Sequence, residues 1–138
     1  MANESSPAPV LQSVLLIDDS RTVRIFVAAV LGDAGYRVRV AASAREGVAS
    51  MLREVPDILL LDVGLPDADP QPLVAEIRQL GSMGRPVIFM FSGEPEPVLR
   101  ALSDRCGAEG YLEKTHDAGA LVQALREAWA RLSAHRLA

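Results

Sequence analysis

Asp18-Asp19, Asp62, Ser92 and Lys114 are the residues of this chain whose types suit chemistry, and each closes or follows an apolar run. Val14-Leu-Leu-Ile17 leads into the acidic pair, Ile58-Leu-Leu-Leu61 into Asp62, and Val87-Ile-Phe-Met-Phe91 into Ser92-Gly93. Lys114 follows Gly110-Tyr-Leu-Glu113 and is the only lysine among 14 basic residues. A lysine is a compact point charge where an arginine is a planar fork, so that choice bears on chemistry. Three carboxylates brought together repel, and at least one pKa rises unless a cation sits among them. Oxygen-only ligands suit Mg²⁺, which takes one or two carboxylates and keeps several waters. An Asp can accept a phosphoryl group as an acyl phosphate. Lys114 would neutralise the equatorial oxygens of that group while Ser92 hydrogen-bonds one of them. Taken singly, each residue has a plainer reading: an Asp before a helix is often an N-cap, Ser92 a turn residue, Lys114 a solvated charge. The case rests on their meeting.

That meeting depends on the elements that position them. The runs Val14–Ile17, Ile58–Leu61 and Val87–Phe91 suit parallel strands covered on both faces. Arg37-Val-Arg-Val40 alternates, as an edge strand does, and Gly110 to Glu113 is a short strand. Between them lie amphipathic stretches. Ser20 to Ala34 presents Val23, Phe26/Val27, Val30/Leu31 and Ala34 on one face, with Gly35 as its stop. Ser43-Ala-Arg-Glu46 is a capping box opening a helix with Val48, Met51/Leu52 and Val55. Pro72 suits the first turn of a third helix, Pro97 to Arg105 reads as a fourth, and Asp117 to about Ser133 as a fifth. Five strand–helix units predict an α/β fold: a doubly wound, five-stranded parallel sheet of flavodoxin-like order 2-1-3-4-5 with five helices. Ligands of such sheets bind beyond the carboxyl ends of the strands, where strand order reverses. Here that point lies between the first and third strands, where Asp18, Asp19 and Asp62 fall.

The 138 residues suit one domain. We expect a tail at 1–11, the domain at 12–134 and a short tail at 135–138. Composition is 49% apolar and 23% charged, which excludes a wholly disordered chain. The single cysteine, Cys106, cannot form an internal bridge and reads as a partly buried, inert thiol. A net charge of −4 speaks against direct nucleic-acid binding. No apolar run approaches the roughly 18 residues of a membrane span, and no signal peptide opens the chain, so the expected compartment is the cytoplasm. His116 and His135 read as solvated surface and Trp129 as packing.

The chain resembles the receiver domain of bacterial two-component response regulators, the CheY-like family, over about residues 12–134. The motifs are Val14-Leu-Leu-Ile-Asp-Asp-Ser20, Leu59-Leu-Leu-Asp62 with Leu65-Pro66, Phe91-Ser92-Gly93 and Tyr111-Leu-Glu-Lys114. The resemblance implies that Asp62 is the phospho-acceptor and that Asp18 and Asp19, with Asp62 and the backbone carbonyl of Gly64, hold Mg²⁺. It makes Ser92 the switch hydroxyl, Lys114 the phosphoryl-binding lysine and Tyr111 the switch aromatic. It also implies a histidine kinase or phosphotransfer protein as donor. Output would pass to a protein target through the fourth helix, fifth strand and fifth helix.

Three positions depart from the family's pattern. Thr115 follows Lys114 where proline is usual, Pro70 stands where glycine is common, and Gly64 offers no side chain to position or block a hydrolytic water. Two rival readings use the same residues: a pseudo-receiver serving only protein contact, and an Asp-nucleophile, Mg²⁺-dependent phosphatase. Haloacid-dehalogenase-like phosphatases resemble a D-x-D pattern after the first strand, whereas Asp18 and Asp19 are adjacent. Neither a G-x-G-x-x-G fingerprint nor a P-loop occurs.

Overall fold

The computed structural model describes residues 12–80 and 85–137, so the tail expected at 1–11 lies outside the described residues. Strands and helices alternate: β1 (Ser13–Ile17), α1 (Arg21–Asp33), β2 (Arg37–Ala41), α2 (Ala44–Arg53), β3 (Ile58–Asp62), α3 (Pro70–Gln79), β4 (Val87–Ser92), α4 (Glu96–Cys106), β5 (Gly110–Glu113) and α5 (Ala118–Leu137). The strands form one sheet in the order β2-β1-β3-β4-β5, every neighbouring pair parallel, as the sequence predicts.

Strand residues point alternately to the two faces. Leu15, Ile17, Leu59, Leu61, Ile88 and Met90 pack against α2, α3 and α4 through Met51, Leu73, Ile77 and Leu99. Val14, Leu16, Leu60, Phe89 and Phe91 pack against α1 and α5 through Val27, Leu31, Leu121 and Leu125. Trp129 packs on this second core. β1, β3 and β4 are buried along their whole length, which is why their sequences are unbroken apolar runs.

Several helix ends follow their local signals. Ser20 caps α1 by accepting from the Val23 N–H, and Gly35 takes the left-handed φ of +102° just beyond its end. Ser43 accepts from the Glu46 N–H at 3.1 Å, while Glu46 reaches back to the N–H of Ala42 rather than of Ser43, at 3.3 Å. Pro70 opens α3, where its missing N–H would have had no intrahelical partner.

The structure corrects three boundaries. α2 stops at Arg53, so Val55 lies outside the helix, and Leu52 faces solvent. Pro56 disfavours helical backbone at Val55, and the buried face is built instead from Ala44, Gly47, Ser50 and Met51. α4 begins one residue early, at Glu96. α5 continues past Ser133 to Leu137, through 135–137 of the expected tail, and residue 138 lies outside the described residues. No glycine or proline interrupts Ser133-Ala-His-Arg-Leu137, and alanine, arginine and leucine favour helix.

Candidate functional site

Strand register sets the site. Ile17 of β1 pairs with Leu61 of β3, which brings Asp18 level with Asp62. Asp62 pairs with Phe91, and Ser92 with Glu113, so Ser92 and Lys114 emerge one step further along the same edge. The ladder runs on to Lys114, whose N–H donates to the Ser92 carbonyl at 2.8 Å. At the other side, the Asp18 N–H donates to the Ala41 carbonyl at 3.0 Å.

The three carboxylates converge as the sequence predicts. Asp18, Asp19 and Asp62 each offer an oxygen, and these oxygens lie within 4.8 Å of one another. Asp18 is fully buried, Asp62 nearly so, and Asp19 is exposed. Asp18 Oδ1 accepts from the Ser20 N–H at 2.9 Å, and its backbone carbonyl accepts from Arg24 at 2.9 Å. Lys114 Nζ reaches into the cluster, 2.8 Å from Asp18 Oδ2 and 3.3 Å from Asp62 Oδ1. It also lies 5.5 Å above the Phe91 ring centroid. The contact with the fully buried Asp18 Oδ2 is the shorter of the two, and it is the ion pair that partners that oxygen.

The electrostatics follow from this crowding. Burial pushes the Asp62 carboxyl above its ordinary value, and the neighbouring Asp18 adds to the rise. The Gly64 N–H, donating to Asp62 Oδ1 at 3.1 Å, and Lys114 pull the other way without cancelling it. For Lys114, burial opposes the charge, but the Asp18 and Asp62 carboxylates outweigh it and hold the ammonium above its usual range. One cation among three acids leaves a negative excess. Three carboxylate oxygens within 4.8 Å of one another, against a single ammonium, fit a hard divalent cation.

Ser92 is buried, and its Oγ accepts from the Glu94 N–H at 3.0 Å, which leaves its own proton free to be donated. Tyr111 is half-buried against the first core. Its hydroxyl donates to the Glu96 carboxylate and accepts from Arg100 Nε at 3.3 Å. After Lys114, Thr115 Oγ1 accepts from the Asp117 N–H at 3.1 Å, a side-chain turn that stands where the family's proline would be. His116 is exposed, as expected. Cys106 is buried, and burial raises its thiol pKa, as an inert thiol requires.

Two features escaped the sequence. The Glu96–Arg100 pair holding the Tyr111 hydroxyl shows only as an i,i+4 charge pair, with nothing to indicate the tyrosine between them. Asp67, in the loop after β3, accepts from two amides of α2, those of Ala44 at 3.0 Å and Arg45 at 3.1 Å. Its partners lie more than twenty residues away, beyond any local motif.

The family model of the response regulator receiver domain matches residues 14–126. The chain is 33% identical over 124 residues to the KDP operon transcriptional regulatory protein KdpE of Escherichia coli, covering 90% of this chain and 54% of KdpE. It is 25% identical over 115 residues to the chemotaxis protein CheY of Thermotoga maritima, covering 83% of this chain and 94% of that one. Among solved structures, the chemotaxis response regulator CheY4 of Vibrio cholerae matches with a TM-score of 0.78 at 29% identity, over 86% of this chain and 99% of that one. The chain spans about half the length of KdpE and of several other curated relatives. Among the described residues, no helix is long and apolar enough to cross a membrane.

Proposed function

Because the chain belongs to the response regulator receiver domain family, we propose that it is a phosphorylation-dependent switch in which Asp62 accepts a phosphoryl group from a histidine kinase or phosphotransfer protein. The observation that supports this most is the convergence of three carboxylates within 4.8 Å, with Lys114 drawn between Asp18 and Asp62.

Both donors to Asp62, the Gly64 N–H and Lys114 Nζ, end on Oδ1. Oδ2 receives neither and is the oxygen suited to attack phosphorus. An Oδ2–P bond forms as the P–N bond of the donor phosphohistidine breaks, and the electron pair stays on the departing imidazole nitrogen. Lys114 holds positive charge beside the oxygens of the transferring group. Asp18, Asp19, Asp62 and the Gly64 carbonyl are the groups that would hold Mg²⁺. When bound, that ion neutralises the carboxylates and the phosphoryl oxygens.

Ser92 then gives up the Glu94 N–H and donates its hydroxyl proton to a phosphoryl oxygen, a charge-assisted bond stronger than a neutral one. Its inward movement vacates space beside β5, and Tyr111 turns in from its place against Glu96 and Arg100. The face formed by α4, β5 and α5 changes and is read by a protein partner. The net charge of −4 favours a protein reader over nucleic acid. The coupling is a population shift: the phosphoryl group stabilises an inward state and need not create it.

The test is chemical-shift mapping with beryllofluoride and Mg²⁺, which mimic the bound phosphoryl group. The expected changes extend from Asp62 through Ser92 to Tyr111, and Ser92→Ala keeps those at Asp62 while losing those at Tyr111. Changes confined to the Asp62 pocket in the wild type would reject the switch.

A further inference from the structure

The corner between β2 and α2 touches both halves of the acidic site. On the β1 side, the Ala41 carbonyl accepts from the Asp18 N–H. Gly47, one turn into α2, lies so close to Ile17 that a Cβ there would meet Ile17 Cδ1 at 2.2 Å and Cγ1 at 2.6 Å. α2 is therefore seated on the residue that precedes Asp18. On the β3 side the connection is polar. Asp67 follows Asp62-Val-Gly64-Leu-Pro66 and sends Oδ1 to the Ala44 N–H and Oδ2 to the Arg45 N–H. These two bonds hold its carboxyl below the ordinary range.

Packing alone does not make this second connection. A cleft of about 290 Å³, lined by Ala44, Val48, Ala68 and Leu73 among others, lies between α2 and the start of α3, with Asp67 on its wall. Leu65 is buried in the core and anchors the loop by apolar contact, but such contact is non-directional. Gly64, next to Leu65, has no side chain to fix its own peptide. Its N–H already rests on Asp62 Oδ1.

We propose that Asp67 is a positioning residue: by clamping the loop after β3 onto the first turn of α2, it holds the Gly64 backbone in register with the Asp18/Asp19/Asp62 cluster. The assignment deepens the receiver reading and rests on it for the metal, but the clamp itself acts in the metal-free protein. α2 thereby becomes a common brace for both acid-bearing strand ends.

The test compares wild type, Asp67→Ala, Asp67→Asn and Ser43→Ala. Ser43→Ala removes a cap from the same helix end without touching the loop, so it reports what loss of helix stability alone does. Two quantities are measured: solvent exchange of the Gly64 amide in metal-free protein, and Mg²⁺ affinity by calorimetry. Asp67→Ala should speed Gly64 exchange and weaken Mg²⁺ binding about tenfold, the lower end for partners that orient metal ligands. Asp67→Asn retains an acceptor oxygen and should recover part of both. Ser43→Ala should melt at a lower temperature yet match wild type in both. Wild-type Gly64 exchange and Mg²⁺ affinity in Asp67→Ala, or equal losses in Ser43→Ala, would overturn the proposal. A wild type that binds no Mg²⁺ would instead defeat the metal reading, and Gly64 exchange would still decide the clamp.

Discussion

Lys114 sits 2.8 Å from one buried carboxylate, 3.3 Å from another and over the Phe91 ring. A guanidinium fork occupies more width than that space allows and must displace Phe91 or Asp62. Lys114→Arg should therefore lose the conformational response to beryllofluoride while remaining folded; a wild-type amide shift pattern would show that the lysine is only a surface charge. Asp62 makes a second residue-scale prediction. Its folded pKa lies above the ordinary 3.8 chiefly through burial, so the folded state binds this proton more tightly than the unfolded state. Ionised Asp62 consequently destabilises the fold at neutral pH, and the penalty fades as pH falls through the raised folded value and is gone below the unfolded one. Asp62→Asn should raise the melting temperature at pH 7 in metal-free buffer, and the gain should vanish near pH 3. An unchanged or lower melting temperature at pH 7 would contradict this. Lys114 has the opposite sense: its folded value is raised, so its stabilisation is complete at neutral pH and is lost only as pH climbs past that value.

Gly47 shows how an element's packing can reverse a local preference. Replacing glycine by alanine within a helix usually stabilises by about 1 kcal/mol. Here the added methyl meets the fully buried Ile17, and overpacking of a core typically costs about 1–3 kcal/mol. Gly47→Ala should lower stability in urea denaturation, whereas Ser43→Ala should cost about 1 kcal/mol through the lost cap. A stabilised Gly47→Ala would mean that α2 is not seated on β1 as described. The elements also mark how far a sequence can be read. Gly35 and Ser43 announced their helix ends because stops and caps are local chemistry. The unbroken runs of β1, β3 and β4 announced burial on both faces, and Arg37 to Val40 an edge. Val55 and Leu52 misled because an apolar pattern cannot tell a buried face from an exposed one where the chain is about to turn into Pro56. The end of α5 misled because the sequence supplies no stop signal there.

At the scale of the molecule, strand order and register turn separate residues into one site. Asp18, Asp62, Ser92 and Lys114 were legible because strand ends are legible, and the 2-1-3-4-5 order places those ends on one edge. The bonds of Asp67 to α2 and of Tyr111 to Glu96 and Arg100 were not, since each joins side chains whose proximity arises only from the packed fold. A cation that binds the folded cluster but not the unfolded chain stabilises by about 2.7 kcal/mol at a hundred times its Kd. Mg²⁺ should accordingly raise the melting temperature, its removal by a chelator should reverse the gain, and Asp18→Ala/Asp19→Ala should abolish it. An equal Mg²⁺ response in that double variant would place the metal elsewhere. Everything downstream of the site depends on Asp62 accepting the phosphoryl group. Intact-mass spectrometry after incubation with acetyl phosphate and Mg²⁺ decides it: one phosphoryl group should add to wild type and none to Asp62→Asn, whereas a wild type that stays unmodified, or an Asp62→Asn variant modified to the same extent, would show that Asp62 is not the acceptor.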